Sequence, residues 1–433
     1  MQPSINKDRF IPLRKTDLIQ ACLDDGRLSP DQINAFKTLC QLIVSTLHFE
    51  YHQFLEELKD SYAPFDPNSD TLVVTKLTDD ILQLKQANFT SRFTQILNAA
   101  NFEKVTDQDL QEALQEESLF KVRLAVEFED FADVVFYRRG EYQQTETIVK
   151  FWGLRKQKIT FTNYDKVAVY IKFKDADYFN QKKSAALSFE PGSTIIKLFQ
   201  NVPKADLEML FPNSLVRMRT IDKAIIGGSA LVGGTVVLVT KLGASLLVLA
   251  GLFSYWLGFS SKVVTISTQQ LIALGVGAGV LGGFIFKEWS KFKNRKLRFM
   301  KALADNLYFK NLDNNSGVFH HLIDSAEEEE CKEAILAYYF LLIQGDSMTS
   351  ELLDKKIEQW FAEQFDFQID FEIADALAKL QRFGIIKLVD GQYSALLINA
   401  AQSQLDAQWD GLFNVSIPKA IGVAARRQRN SAP

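Results

Sequence analysis

From Ala224 to Phe286 the chain carries no acidic residue, and Lys241 and Lys262 are its only basic residues there. No other stretch restricts the fold as much, because a run this long and apolar reads as membrane-spanning rather than as a core helix. Lys241 and Lys262 bracket LGASLLVLAGLFSYWLGFSS, whose Tyr255, Trp256 and Phe259 suit a headgroup interface near one end. Residues 265–286 form a second candidate, with Trp289 as its interfacial anchor. Three crossings would need a chain reversal at Lys241 alone, which a helix pair cannot make. Both flanks are basic: Arg217, Arg219 and Lys223 before, and Lys287, Lys291, Lys293, Arg295, Lys296 and Arg298 after. The positive-inside rule then asks for an even number of spans. The expectation is a two-helix transmembrane hairpin at about 235–258 and 266–286, with both termini cytoplasmic. Residues 224–234 would extend the first helix or lie at the interface.

Gly275, Gly279 and Gly283 recur every four residues, the small-residue spacing that lets helices approach closely. Two readings follow. The stripe packs the hairpin against itself, or it joins copies of the chain into a homo-oligomer.

A length of 433 residues leaves room for two or three further domains. A net charge of −4 gives no global signature of nucleic-acid binding. Cys22, Cys40 and Cys331 are too scattered for a disulfide framework or a zinc set. The opening MQPSINKDRF has neither a signal-peptide core nor an Arg-rich presequence, so insertion would rest on the internal apolar stretch.

Residues 1–118 read as a helical N-terminal region. Ser29-Pro30-Asp31-Gln32 is a helix start, and Ile33, Phe36, Cys40, Val44, Leu47, Tyr51, Phe54 and Leu58 follow at helical spacing to a stop at Pro64. A second helix covers about 79–100, and Thr106 caps a short third. Residues 119–223 change period: KVRLAVEFEDF, DVVFYRRG, ETIVKFWGL, KITFTNY and KVAVYIKFK read as an antiparallel sheet, followed by a joint that leads into the apolar stretch. Residues 287–325 continue as a basic juxtamembrane helix and loop. Residues 326–412 hold helices, with a Glu327–Glu330 run placed to suit a helix dipole. A hairpin at Asp390-Gly391 closes that region, a winged-helix-like pattern. Residues 413–433 are a flexible tail. The fold class expected is therefore an α+β integral membrane protein.

Four segments in order, RFIPLRKTDLI, YAPFDPNSD, VVFYRRG and KLFQNVPKADLEMLFPNSLVRMRTIDK, resemble the transmembrane protein 143 family. The resemblance covers most of residues 9–300. It implies two membrane passes and a membrane location, the inner membrane for a bacterial protein and a mitochondrial membrane for a eukaryotic one. It implies no activity, since the family's conserved domain has no assigned function.

Four constellations compete with blander readings. His48 and His52 stand four apart on the long helix, which is metal-ligand spacing, but Phe49 stands where the protease pattern needs Glu. The alternative is a partly exposed helix face. The candidate recognition helix of the winged region opens with Asp370, Glu372 and Asp375 against Lys379 and Arg382, and this acidic start argues against nucleic acid. The basic run from Lys287 to Arg298 suits anionic headgroups or acts as a topology signal alone. Asp206 and Glu208, with Arg217 and Arg219 after them, read as a charged pre-membrane joint. No catalytic residue and no cofactor emerge. The reading is a membrane-anchored scaffold or adaptor that meets the lipid bilayer and an unidentified protein partner. A membrane-tethered, metal-dependent enzyme is the alternative, and an oligomeric transporter or channel component the third.

Overall fold

The computed structural model describes residues 9–71, 74, 77–106, 108–110, 123–150, 155–182, 187, 189–213, 215–217, 253–257 and 267–412. Helices α1 (Lys15–Asp24), α2 (Pro30–Tyr62) and α3 (Asp79–Ala99) come first. Ser29 starts α2 through a complete capping box: its hydroxyl accepts from the Gln32 amide N–H, and Gln32 Oε1 accepts from the Ser29 N–H. Along α2, Phe36, Leu39, Ile43, Leu47, Leu55 and Leu58 are buried on one face.

The main sheet has five antiparallel strands in the order β1-β3-β4-β5-β7. These are β1 (Glu103–Lys104), β3 (Phe131–Lys150), β4 (Arg155–Phe173), β5 (Thr194–Pro203) and β7 (Asn311–Asn314). A separate pair joins β2 (Arg123–Ala125) to β6 (Leu215–Arg217), and a short helix, α4 (Ala176–Lys182), follows β4. The two-residue period of a strand divides the sheet between two cores. Ala168, Tyr170, Ile196 and Leu198 face the helical core, while Val167, Val169, Ile171, Phe173 and Phe199 face a second core with Leu207 and Phe211. The sequence signals DVVFYRRG and ETIVKFWGL suggested separate strands, but β3 is one strand running straight through Gly140. That residue has φ +71, and a Cβ there would lie 2.7 Å from Asp165 Cβ, so glycine alone fits.

The 43-residue helix α5 (Thr268–Lys310) leads into β7, and α6 (Ser316–Gln344) follows. Around α6 are α7 (Ser350–Phe365), α8 (Ile373–Arg382), the hairpin of β8 (Ile386–Val389) and β9 (Gln392–Ala395), and α9 (Ile398–Gly411). Met348 and Tyr393 exchange backbone hydrogen bonds of 2.9 and 2.7 Å, tying the α6–α7 connection to the hairpin. α6 is the axis of the helical body. From Glu329 to Leu341 every side chain is buried, charged ones included.

The integral-membrane fold class is corrected here. Among the described residues, no helix is long and apolar enough to cross a membrane. The expected second span is not a separate element but the opening of α5, which continues unbroken through the basic segment to Lys310. Its apolar run between Gln270 and Lys287 reaches only about 24 Å at about 1.5 Å per residue, short of the roughly 30 Å of a hydrocarbon core. The expected first span, 235–258, lies outside the described residues except for 253–257, as do residues 224–234. Membrane anchoring, the transmembrane hairpin and the inner-membrane placement derived from them are therefore withdrawn. What stands is an α+β fold with a five-stranded antiparallel sheet.

Candidate functional site

Three distant parts of the chain converge on α6. Residues 9–13 run across it, held by main-chain bonds to its buried charges. Glu329 Oε2 accepts from the Ile11 N–H at 3.1 Å, and Lys332 Nζ donates to the carbonyls of Ile11 at 2.6 Å and Leu13 at 3.1 Å. Glu329 and Lys332 pair with each other at 2.7 Å, each 1% exposed. Burial raises the Glu329 carboxyl above its ordinary value, opposed by Lys332. One residue earlier, Glu328 Oε1 accepts from the Lys15 N–H. The glutamate run therefore does not serve a helix dipole. It lies in mid-helix and binds an incoming segment.

One turn away is a cavity of about 620 Å³ between α2, α3, α6 and α8. On its wall Lys379 Nζ reaches three carboxylates, Glu330, Glu333 at 3.3 Å and Asp375 at 2.7 Å. Asn101, held in the left-handed backbone region at φ 56, donates from its amide to Glu333 Oε1 and to the Arg9 carbonyl, both at 3.1 Å. Arg9 pairs with Glu372 and Arg382 with Glu50, one of the latter bonds being 2.9 Å. Every cation lining the cavity is thus met by a carboxylate from another part of the chain.

Burial pushes this cluster toward its neutral forms. It holds Glu333 well above the ordinary carboxylate value, with the Asn101 amide opposing. It raises Asp375 against the pull of Arg9 and Arg382. It brings Lys379 down to about 7, with Arg382 adding to the effect. Glu330, Glu333 and Asp375 are the group of three potential metal ligands among the described residues, their ligand atoms within 4.8 Å of one another. Lys379 Nζ already stands among them, so the chain supplies its own cation.

The residues singled out from sequence are placed differently. His48 directs Nδ1 to Glu327 Oε2 at 2.8 Å, and His52 is exposed; neither joins the carboxylate group. On α8, Asp375 and Lys379 line the cavity, so the face expected to approach a duplex is turned partly inward. Lys287, Lys291 and Lys293 are exposed on α5, with Lys293 over the Trp289 ring. Among the described residues, no atom beyond their own helix turn lies within 4 Å of where a Cβ would stand on Gly275, Gly279 or Gly283. The side chains of Arg295, Lys296 and Arg298, and all of Arg219 and Lys223, lie outside the described part. Asp206 is buried in the 3-10 turn Lys204–Leu210, with Glu208 in the same turn, and Arg217 ends β6 opposite Arg123. The three cysteines meet where α1, α2 and α6 pack. All are buried, and burial foremost raises each thiol, Cys331 to about 12. Sequence reasoning passed over Lys332, Glu333 and Asn101, and took Glu329 only as part of a run suited to a helix dipole. For the charges the one signal was their clustering directly before the apolar run Ala334–Ile343 of the same helix; Asn101 carried none.

Residues 164–317 match the model of a family described as a protein of unknown function, DUF3754. The match runs from the middle of β4 through β5, α5 and β7 and stops in the first turn of α6. It brings no biochemical activity with it. No solved structure matches the chain.

Proposed function

We propose that this chain is a non-enzymatic scaffold or adaptor whose helical body is a rigid platform for a protein partner. One observation carries this reading: the charges of the α6 cavity are spent on one another. Arg9, Lys379 and Arg382 each engage a carboxylate brought from another segment, so the site works as a clasp between residues 9–13, the end of α3, and α8. A buried network that satisfies itself specifies one arrangement of the elements around it. A scaffold needs such constancy of shape.

A catalytic reading has one point in its favour. Lys379, at about 7, and the raised Glu333 would form an acid–base couple on a cavity wall. The two readings part in a complementation test. Cells lacking the protein are supplied with a Lys379→Met/Glu333→Gln variant whose folding has been checked by its melting temperature. The scaffold reading expects the folded variant to restore function and to recover the same neighbours by proximity labelling as the parent. A folded variant that recovers those neighbours but fails to restore function would sink the scaffold reading in favour of the enzyme.

A further inference from the structure

A second cavity, of about 580 Å³, lies on the other side of the molecule, between the turn at Pro67 and Asn68, the segment around Phe189, and β5 paired with β7. Its size is that of a small-molecule pocket. Lys197 of β5 projects from the sheet into its lining and donates to the side-chain oxygen of Asn314 at 2.8 Å. Among the described residues no carboxylate stands within ion-pair distance of Lys197. Glu190 also lines the cavity, but its carboxylate does not reach the ammonium. Burial without a counter-ion lowers the Lys197 pKa, and burial is the sole cause. An amide oxygen is neutral and leaves the positive charge uncompensated.

The rest of the lining suits an anion carried on an apolar body. Asn68 and Asn314 bring amide groups able to donate to oxygen atoms. Phe189 and Ile195 supply an apolar wall, and Phe189 is fixed there by stacking on Phe173 with ring centroids 3.9 Å apart and planes 7° from parallel. Apart from Pro67 and Asn68, all the lining residues fall within the 164–317 family match.

We propose that this cavity binds a small molecule bearing a carboxylate or phosphate group on an apolar body, with the Lys197 ammonium as its counter-ion and the Phe189 wall receiving the apolar part. The site is independent of the α6 clasp and of the scaffold reading, and either can fail without the other.

The test is calorimetric titration of the full chain with phenyl phosphate, benzoate, inorganic phosphate and benzyl alcohol. The expected result is saturable binding of phenyl phosphate or benzoate at one site per chain, with no binding of benzyl alcohol. Which aryl anion binds tells phosphate from carboxylate. Lys197→Met should weaken that binding at least tenfold, about 1.4 kcal/mol, and Lys197→Arg should retain it. Asn68→Asp, on an exposed turn, should also weaken it by placing a negative charge at the mouth, which keeps the test valid should Lys197→Met fail to fold. Failure of both aryl anions to bind at millimolar concentration would overturn the proposal. So would binding that Lys197→Met and Asn68→Asp leave unchanged, or inorganic phosphate binding as tightly as phenyl phosphate, since the apolar wall would then contribute nothing.

Discussion

The two cavities differ in how their positive charges are answered. In the helical body Lys379 has three carboxylates and Lys332 has a carboxylate and two carbonyls. Beside the sheet Lys197 has one amide oxygen. The first arrangement is closed within the chain and holds distant segments together. The second leaves a charge that a ligand can answer. A cavity's volume does not separate the two cases, since the two are of similar size; the distribution of counter-ions does.

The contrast breaks first at Lys332. Lys332→Met should cost roughly 3–5 kcal/mol of unfolding free energy, because it strands the buried Glu329 carboxylate. Urea denaturation measures this, and a loss of less than about 1 kcal/mol, the median for exposed pairs, would show that the network is not closed. A second probe is pH. Lys379 has its folded pKa depressed from 10.5 to about 7, so the unfolded chain binds the extra proton between those values. Stability should therefore rise with pH across that window, and Lys379→Met should remove that part of the slope. An unchanged slope in the variant would assign the protons elsewhere. The outer edge of the clasp should matter less. Arg382 is 53% exposed, so its coupling to Glu50 in a double-mutant cycle should be about 0.2–1 kcal/mol after solvent screening. A coupling well above that would extend the closed network to the surface. The smallest effect belongs to the sheet cavity. Lys197→Met should leave stability within about 0.5 kcal/mol or raise it slightly, since it removes a charge with no counter-ion. A loss as large as that at Lys332 would make Lys197 a structural residue and erase the contrast.

What sequence made legible was local. Ser29 and Gln32 announced the start of α2, and Asp390-Gly391 announced the β8–β9 turn, with both residues at positive φ. The change to a two-residue period announced β3 and β4. The clasp was illegible because Glu329, Lys332 and Glu333 have the i, i+3 and i+4 spacing of an ordinary solvated helix face. Nothing within their own stretch shows that the carbonyls of Ile11 and Leu13 come to cover Lys332. The anion site was illegible for the opposite reason: a lone lysine in a strand carries no pattern, and its meaning lies in the carboxylates that are not beside it. The apolar stretch was read from its hydropathy, its basic flanks and its aromatic ends. Counting the polar residues before Leu271 into the second span made it long enough; the run from Leu271 to Phe286 alone is not.

The strap of residues 9–13 also sets an order of events in the life of the chain. Its partners Glu329 and Lys332 lie 318 to 321 positions further along. At the usual 5–20 residues per second, a ribosome needs roughly 15 to 60 s to reach them. Through that interval the strap lacks the α6 surface it settles on, and Phe10 and Ile11 are open to chaperones and proteases. The N-terminal helices cannot complete their packing until the final third of the chain emerges. The strap is thus made well before the residues that secure it, and a truncation far downstream would be felt at residues 9–13.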